Sequence, residues 1–251
     1  MRSGISHNPL GLDRLTGMWY SVPQQRTKGV TAVKFSMPLQ MQAYEAMKAK
    51  INDGFFQSGV LYSEKKVSAE MGISRSPMRD AIQLLVQEGY LDVIPSKGFR
   101  LHEMTRRDLD ETCQVRSALE GYCIVQMAKE YKSERAQEAF GLMRSCLDAQ
   151  RHILETSRSI EQFAKYDQAF HEAIVAYLQN ETFTEIFNSF HYRMRTQTLV
   201  SLAWAGRLED TLKEHRAIAA AAESGHIEES YEAALTHLMQ AKRIIELGDK
   251  L

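Results

Sequence analysis

The spacing of apolar and polar positions changes along the chain and divides it into three parts. In the middle part, residues 38–103, apolar residues at three- and four-residue intervals predict three short helices, over about 39–51, 64–71 and 75–88. Ser63 and Ser74 precede the second and third helices and are good N-cap residues. Gly72 lies between these helices and predicts a tight turn.

A hairpin is predicted directly after the third helix. Residues 91–94 and 99–102 read as two strands that flank the turn sequence Pro95-Ser96-Lys97-Gly98. The order helix, helix, turn, helix and hairpin is that of a winged helix-turn-helix.

The last part, residues 104–251, contains no proline and keeps helical spacing throughout. We predict six helices, over 106–132, 134–155, 159–179, 181–203, 208–224 and 227–247. Thr105, Ser133 and Ser159 stand at helix starts and are predicted caps. The predicted fold class is mainly α: an N-terminal winged helix-turn-helix with a two-stranded β wing, followed by an all-α antiparallel helical bundle.

The first part, residues 1–37, has no helical period and is interrupted by glycine and proline. It carries five basic residues and one acidic residue. In its segment Gly29–Phe35 apolar and polar residues alternate weakly, which predicts a short strand. Two interpretations stay open for this basic extension: a flexible leader, or an arm that contacts DNA or a partner subunit.

Composition excludes several classes of protein. The chain has 251 residues and a net charge of -1, which argues against a globally basic nucleic-acid binder but leaves room for a local basic face. The three cysteines form no CxxC pair, so neither a disulfide framework nor a cysteine-based zinc site is expected. There is no apolar run of membrane-spanning length and no secretory signal, so we predict a cytoplasmic protein without membrane contact.

The third predicted helix carries candidate DNA contacts. Arg75 and Arg79 lie four residues apart and share a face. Cations near a helix N-terminus oppose the helix dipole, a cost that is understandable if they contact phosphates or guanine edges in a major groove. An ordinary solvated face is the alternative. Lys65, and Lys97 beside Gly98 in the hairpin turn, could contact the DNA backbone.

The stretch from Ala43 to Arg100 resembles the winged helix of GntR-type regulators. The sequence SRSPMRDAI follows the family signature S-R-T-P-V-R-E-A-L, and IPSKGFRL matches the wing. The resemblance implies that double-stranded DNA with a palindromic operator is a partner. It places DNA contacts at Lys65, Arg75 and Arg79 and the wing glycine at Gly98. Ser76 and Lys97 complete the predicted set of DNA-binding residues. Ser58 and Ser68 depart from the family pattern, but neither lies on the predicted reading face.

Four residues of the predicted bundle have side chains that bind divalent metals. Asp167 and His171 lie four apart on one helix, and His215 and His237 follow on two later helices. Three imidazoles and a carboxylate suit zinc, which we favour because four protein ligands fill its tetrahedral shell, and also nickel, manganese, iron or cobalt. Spacing alone leaves open that these residues only pack in the core.

The bundle resembles the FCD ligand-binding domain of the FadR branch of these regulators. Arg116 and Glu120, the D-x-x-F-H sequence ending at His171, the Glu214-His215 pair and His237 follow in the family's order. The resemblance implies a metal bound by Asp167, His171, His215 and His237, with Arg116 facing the effector. The predicted count of six helices resembles the VanR-like subgroup.

These observations predict a metabolite-responsive transcriptional regulator, a repressor rather than an enzyme. Residues 38–103 would bind DNA, and residues 104–251 would bind a small organic acid at the metal and form a homodimer. A two-fold dimer is needed because operator half-sites lie a full helical turn apart. Two alternatives stay open: a sensor whose effector is the metal itself, and a metal-dependent enzyme fused to a DNA-binding module.

Overall fold

The computed structural model describes residues 37–248, so the predicted strand at 29–35 and the basic extension before Met37 lie outside the described residues. Ten helices and two strands lie in the described range. They are α1 (Leu39–Asn52), α2 (Glu64–Glu70), α3 (Arg75–Gln87), β1 (Leu91–Ile94), β2 (Gly98–Leu101), α4 (Arg106–Lys129), α5 (Glu134–Glu155), α6 (Ile160–Ala176), α7 (Glu181–Ser189), α8 (His191–Leu202), α9 (Arg207–Glu223) and α10 (Ile227–Leu247).

The winged-helix segment, residues 38–103, has its own apolar core. Met47 of α1, Met78 and Leu85 of α3, and Phe99 of β2 are almost completely buried in it. The strands β1 and β2 pair antiparallel, with Leu91 opposite Leu101, as the hairpin prediction requires.

The glycine of the wing is required by a close backbone contact. The backbone of Tyr62 pairs with that of Phe99 through two hydrogen bonds, of 2.7 and 2.9 Å. Gly98 has a φ of 133°, and a Cβ on it would lie 2.0 Å from the carbonyl oxygen of Tyr62. Any side chain at this position would push the wing away from the segment that precedes α2.

The helical bundle comprises α4 to α10, with α4 packed on α10, α5 on α6 and α9 on α10. Its core includes large buried side chains of α5 and α6, among them Phe140, Met143, Phe170 and Ile174. No helix within residues 37–248 is long and apolar enough to cross a membrane.

The predicted helix starts in the bundle are confirmed by their caps. Thr105, Ser133 and Ser159 each accept a hydrogen bond from the backbone N–H three residues later. Ser63 and Ser74 occupy the N-cap positions of α2 and α3, but neither side chain makes a capping hydrogen bond.

The predicted count of six helices in this part of the chain is wrong, because the described residues form seven. The predicted helix 181–203 is divided at Phe190, where a ψ of 2° takes the backbone out of the helix between α7 and α8. Phe190 packs with Phe187 and Met194 on both sides of the break. The apolar spacing therefore continues across the break and does not reveal it. The six-helix VanR-like subgroup loses its support with the count.

Contacts between the winged-helix segment and the bundle involve α4 and α8. The rings of Tyr90 and Tyr192 lie 4.6 Å apart. His102 bridges the two parts, with Nδ1 2.8 Å from Asp92 and Nε2 3.1 Å from Asp108. These contacts join the base of the wing to the first helix of the bundle.

Candidate metal centre and nucleic-acid interface

The four predicted metal ligands meet inside the bundle. Asp167 and His171 come from α6, His215 from α9 and His237 from α10. Their exposed fractions are between 0% and 4%. One candidate ligand atom from each residue lies within 4.8 Å of all the others. Tertiary packing thus joins four residues that span 71 positions of the sequence in a single buried cluster.

The Nε2 atoms of the three imidazoles converge on one point. Nε2 of His237 lies 3.2 Å from Nε2 of His171 and 3.4 Å from Nε2 of His215. The carboxylate of Asp167 closes the cluster, with one oxygen 3.5 Å from Nε2 of His215 and the other 4.0 Å from Nε2 of His171.

The opposite nitrogen of each ring is held by an acceptor. Nδ1 of His171 lies 2.6 Å from Glu120, and Nδ1 of His237 lies 2.7 Å from Glu214. Nδ1 of His215 lies 3.1 Å from the side-chain oxygen of Gln150.

These acceptors fix the tautomer of every ring. Each of these oxygens can only accept a hydrogen bond, so in a neutral ring the proton lies on Nδ1. The lone pairs of the three Nε2 atoms then face one another. A divalent cation at their meeting point removes this repulsion, so the residues fit a metal.

Each of the two glutamates accepts hydrogen bonds from a buried arginine. Nε of Arg116 donates to Glu120 over 2.6 Å, and Arg207 donates to both oxygens of Glu214 over 2.5 and 2.8 Å. Neither Glu120 nor Glu214 was identified from the sequence as a contact of the metal ligands. The Glu214-His215 pair and the four-residue spacing of Arg116 and Glu120 were visible, but only the packing shows which histidine each glutamate holds.

The electrostatics favour the neutral, metal-binding form of His215 and His237. Burial, together with the neighbouring His237 and His171, lowers the pKa of His215 well below its usual value. Burial also lowers the pKa of His237. Burial alone would raise the pKa of Glu120, but Arg116 and His171 lower it to about 2. His215 and His237 are therefore neutral and Glu120 is charged at neutral pH.

The predicted effector residue Arg116 has two roles in its surroundings. It pairs with Glu120 one turn further along α4, and it also lines a small cavity with Cys113, Thr198 and Lys242. The hydroxyl of Thr198 lies 3.4 Å from Asp167, so this cavity adjoins the cluster. Its volume of about 30 Å³ is room for a water-sized group.

The predicted DNA contacts lie around one cleft of about 440 Å³ between α2, α3 and the wing. The cleft is lined by five of the six predicted residues: Lys65, Arg75, Arg79, Lys97 and Gly98. Ser76 is exposed on the first turn of α3 but does not line the cleft.

Glu64 is a cleft residue that sequence reasoning missed. Its carboxylate lies 3.1 Å from Nη2 of Arg79, whose side chain is 66% exposed. The pair holds a guanidinium toward solvent at the N-terminal end of the helix, where it can reach a base or a phosphate. The two residues are 15 positions apart, so no local spacing indicates the contact.

Two family models match this chain, and together they span both structural parts. Residues 39–101 match the model described as "Bacterial regulatory proteins, gntR family". Residues 111–240 match the model of the FCD domain.

Several curated relatives of this chain are named as transcriptional regulators. The chain is 26% identical over 182 residues to "Uncharacterized HTH-type transcriptional regulator YdhC" of Bacillus subtilis (strain 168), which covers 72% of this chain and 79% of that protein. It is 28% identical over 201 residues to "Probable D-xylose utilization operon transcriptional repressor" of Paenarthrobacter nicotinovorans, covering 80% and 85% of the two chains.

Solved structures share the fold. A GntR-type transcriptional regulator from Rhodococcus sp. RHA1 superimposes with a TM-score of 0.68 at 20% identity, covering 85% of this chain and 99% of that one. McbR/YncC of E. coli gives a TM-score of 0.67, also at 20% identity and with the same coverage. At this identity the likeness concerns the fold alone.

Proposed function

Because the chain belongs to the GntR family of bacterial regulatory proteins and carries an FCD domain, we propose that it represses transcription under the control of a small carboxylate. The winged-helix segment binds a palindromic operator. Residues 104–251 bind the effector at a divalent metal and form the homodimer that a two-fold operator requires. The family and the named relatives are DNA-binding transcriptional regulators, not enzymes.

One observation carries the metal part of this proposal: three Nε2 atoms and a carboxylate point at one buried position. Asp167, His171, His215 and His237 would hold the ion, with zinc as the first choice for four protein ligands. When bound, the ion supplies a Lewis acid that attracts a carboxylate. Arg116, at the adjoining cavity, would orient that carboxylate by a charge-assisted hydrogen bond.

The DNA part rests on the cleft between α3 and the wing. Four cations and Gly98 line this cleft, and the Glu64–Arg79 pair orients an exposed guanidinium. Arg79 would read a guanine edge, and Lys65 and Lys97 would contact phosphates. Such a protein acts in the cytoplasm, where the chromosome is.

The test combines elemental analysis with DNA binding. Purified protein should contain one divalent ion per chain. An operator fragment selected by the protein itself should bind when metal is present and acetate absent. Millimolar acetate should weaken this binding, and acetate should have no effect after removal of the metal. Protein that contains no metal and takes up none would overturn the metal-dependent proposal.

The small size of the cavity favours a second candidate, a sensor whose effector is the metal. A volume of about 30 Å³ accepts a water or the donor group of a very small acid without rearrangement. The distinguishing result is the effect of metal alone. Release of the operator on adding metal, with no carboxylate present, would identify a metal sensor.

A further inference from the structure

Arg207 contacts the cluster of metal ligands through a single residue. Its side chain is 3% exposed, and both terminal nitrogens donate to the carboxylate of Glu214. The same carboxylate lies 2.7 Å from Nδ1 of His237. The triplet Arg207–Glu214–His237 therefore ends on one of the four proposed ligands.

Arg207 lies at a position on its helix that is unfavourable for a cation, so its contact with Glu214 must offset a cost. Arg207 is the first residue of α9, where a cation opposes the helix dipole. It lies seven residues, about two turns, before Glu214, so the two side chains share a face of the helix. Burying a guanidinium at this end of a helix is costly unless a hydrogen-bonded carboxylate compensates its charge.

The carboxylate of Glu214 depends on the positive charge of Arg207, because little of its side chain is exposed to water. Its side chain is only 20% exposed, and it lines an open groove of about 380 Å³ with Asp210, Lys213 and Gln240. Without Arg207, the carboxylate would lose its counter-charge and could turn into the groove. His237 would then lose the acceptor that fixes its tautomer and ring orientation.

We propose that Arg207 is a positioning residue of the metal centre. It holds the carboxylate of Glu214 against Nδ1 of His237, and so keeps Nε2 of that ring directed at the metal. The proposal rests on the proposed function in one respect, that a metal binds between the four residues. Arg116 and Glu120 form a matching triplet with His171, but Arg116 lines the effector cavity and Arg207 does not.

Cobalt(II) is the probe for the test, because its visible spectrum reports on its ligands. Affinity is measured by competition with a chelator on metal-free, full-length protein. Arg207→Met should weaken cobalt binding about 10- to 100-fold, the usual effect of removing the support of a histidine ligand. Arg207→Lys, which retains the charge, should recover part of the loss. The matched control is Arg216→Met, an exposed arginine on the same helix, and it should leave the affinity within twofold.

A double variant separates positioning from a merely structural role. Glutamine at position 214 still accepts a hydrogen bond from His237 but needs no counter-charge. Arg207→Met combined with Glu214→Gln should therefore bind cobalt about as tightly as Glu214→Gln alone, and its spectrum should be the same. This comparison also decides the matter if Arg207→Met by itself does not fold.

The outcomes distinguish this proposal from the proposed function. A wild-type protein that binds no cobalt contradicts the metal-dependent function itself. A wild-type protein that binds cobalt, with Arg207→Met binding equally well, leaves that function standing and overturns the role of Arg207. A tenfold or greater loss on adding Arg207→Met to Glu214→Gln also overturns it, because Arg207 would then act by another route.

Discussion

Gly89 of the winged-helix segment lies directly against Arg193 of the bundle. A Cβ on Gly89 would lie 2.8 Å from Nε of Arg193. The same guanidinium lies 3.3 Å from Asp108 and 3.4 Å from Glu111, both on α4. The turn that follows α3 thus lies against a cation that is held by two acidic residues of the bundle.

This contact predicts that Gly89→Ala destabilises the protein more than Gly54→Ala. Both glycines have a φ close to +74°, so both substitutions carry a backbone cost of about 1–2 kcal/mol. Only Gly89 has a neighbour that an added methyl group would displace, because nothing lies within 4 Å at Gly54. Denaturant unfolding of the two variants measures the difference.

A double-mutant cycle then attributes the difference to Arg193. Arg193→Ala should cost less in combination with Gly89→Ala than alone, with a coupling of about 0.5–3 kcal/mol. Equal costs for the two glycine variants would show that the guanidinium moves aside freely.

Arg79→Ala should remove most of the operator binding and leave the fold intact. The side chain is largely exposed, so its loss affects stability little, whereas a bidentate contact to guanine is worth about 1–3 kcal/mol. We expect a loss of about 10- to 100-fold in affinity for an operator fragment in a mobility-shift titration. Arg151→Ala, an exposed arginine on α5, is the control. Unchanged affinity of Arg79→Ala would remove this residue from the reading face.

His215→Ala should abolish the response of stability to metal. A ligand at 100 times its dissociation constant stabilises the native state by about 2.7 kcal/mol. For a chain of this size that is a rise in Tm of roughly 5–10 °C. Zinc should raise the Tm of the wild type and of the control His152→Ala, whose histidine is exposed on α5, but not that of His215→Ala. A chelator should reverse the rise.

Arg116→Met should impair the response to a carboxylate more than Arg207→Met does. Of the two arginines, only Arg116 lines the cavity beside Asp167. Each arginine hydrogen-bonds a glutamate that in turn contacts a histidine. With both variants saturated with cobalt, acetate should change the visible spectrum of Arg207→Met but not that of Arg116→Met. The same response in both variants would make Arg116 a structural residue.

Acid should weaken the contact between α4 and the wing through Asp108. Burial alone would raise its pKa, but hydrogen bonds from Thr105 and His102 lower it below the ordinary value. A lowered pKa means that the ionised carboxylate stabilises the folded state above the unfolded pKa of about 3.9. This stabilisation is lost as the pH falls through the folded pKa.

Unfolding measured between pH 6 and pH 2 tests this dependence. Asp108→Asn should be less stable than the wild type at pH 6 and should lose less stability on acidification. The exposed Asp148→Asn should follow the wild-type curve. A wild-type slope in Asp108→Asn would assign the acid sensitivity to other carboxylates.

The sequence by itself determined the elements and most of the candidate residues. Cap residues and turn glycines act over three or four positions, so the starts of α4, α5 and α6 were predictable from Thr105, Ser133 and Ser159. Residue type and spacing indicated the four metal ligands and the cations of the cleft, and the resemblance to known families supported them.

Only the tertiary structure decided what each of these residues contacts. The break at Phe190 is invisible to periodicity, because the side chains of Phe187, Phe190 and Met194 all stay on the apolar face. The pairing of Glu214 with His237 rather than with the adjacent His215 depends on how α9 packs against α10. Side-chain periodicity fixes which face a residue occupies within its own helix, whereas its partner depends on the angle and register between helices, which no local pattern encodes.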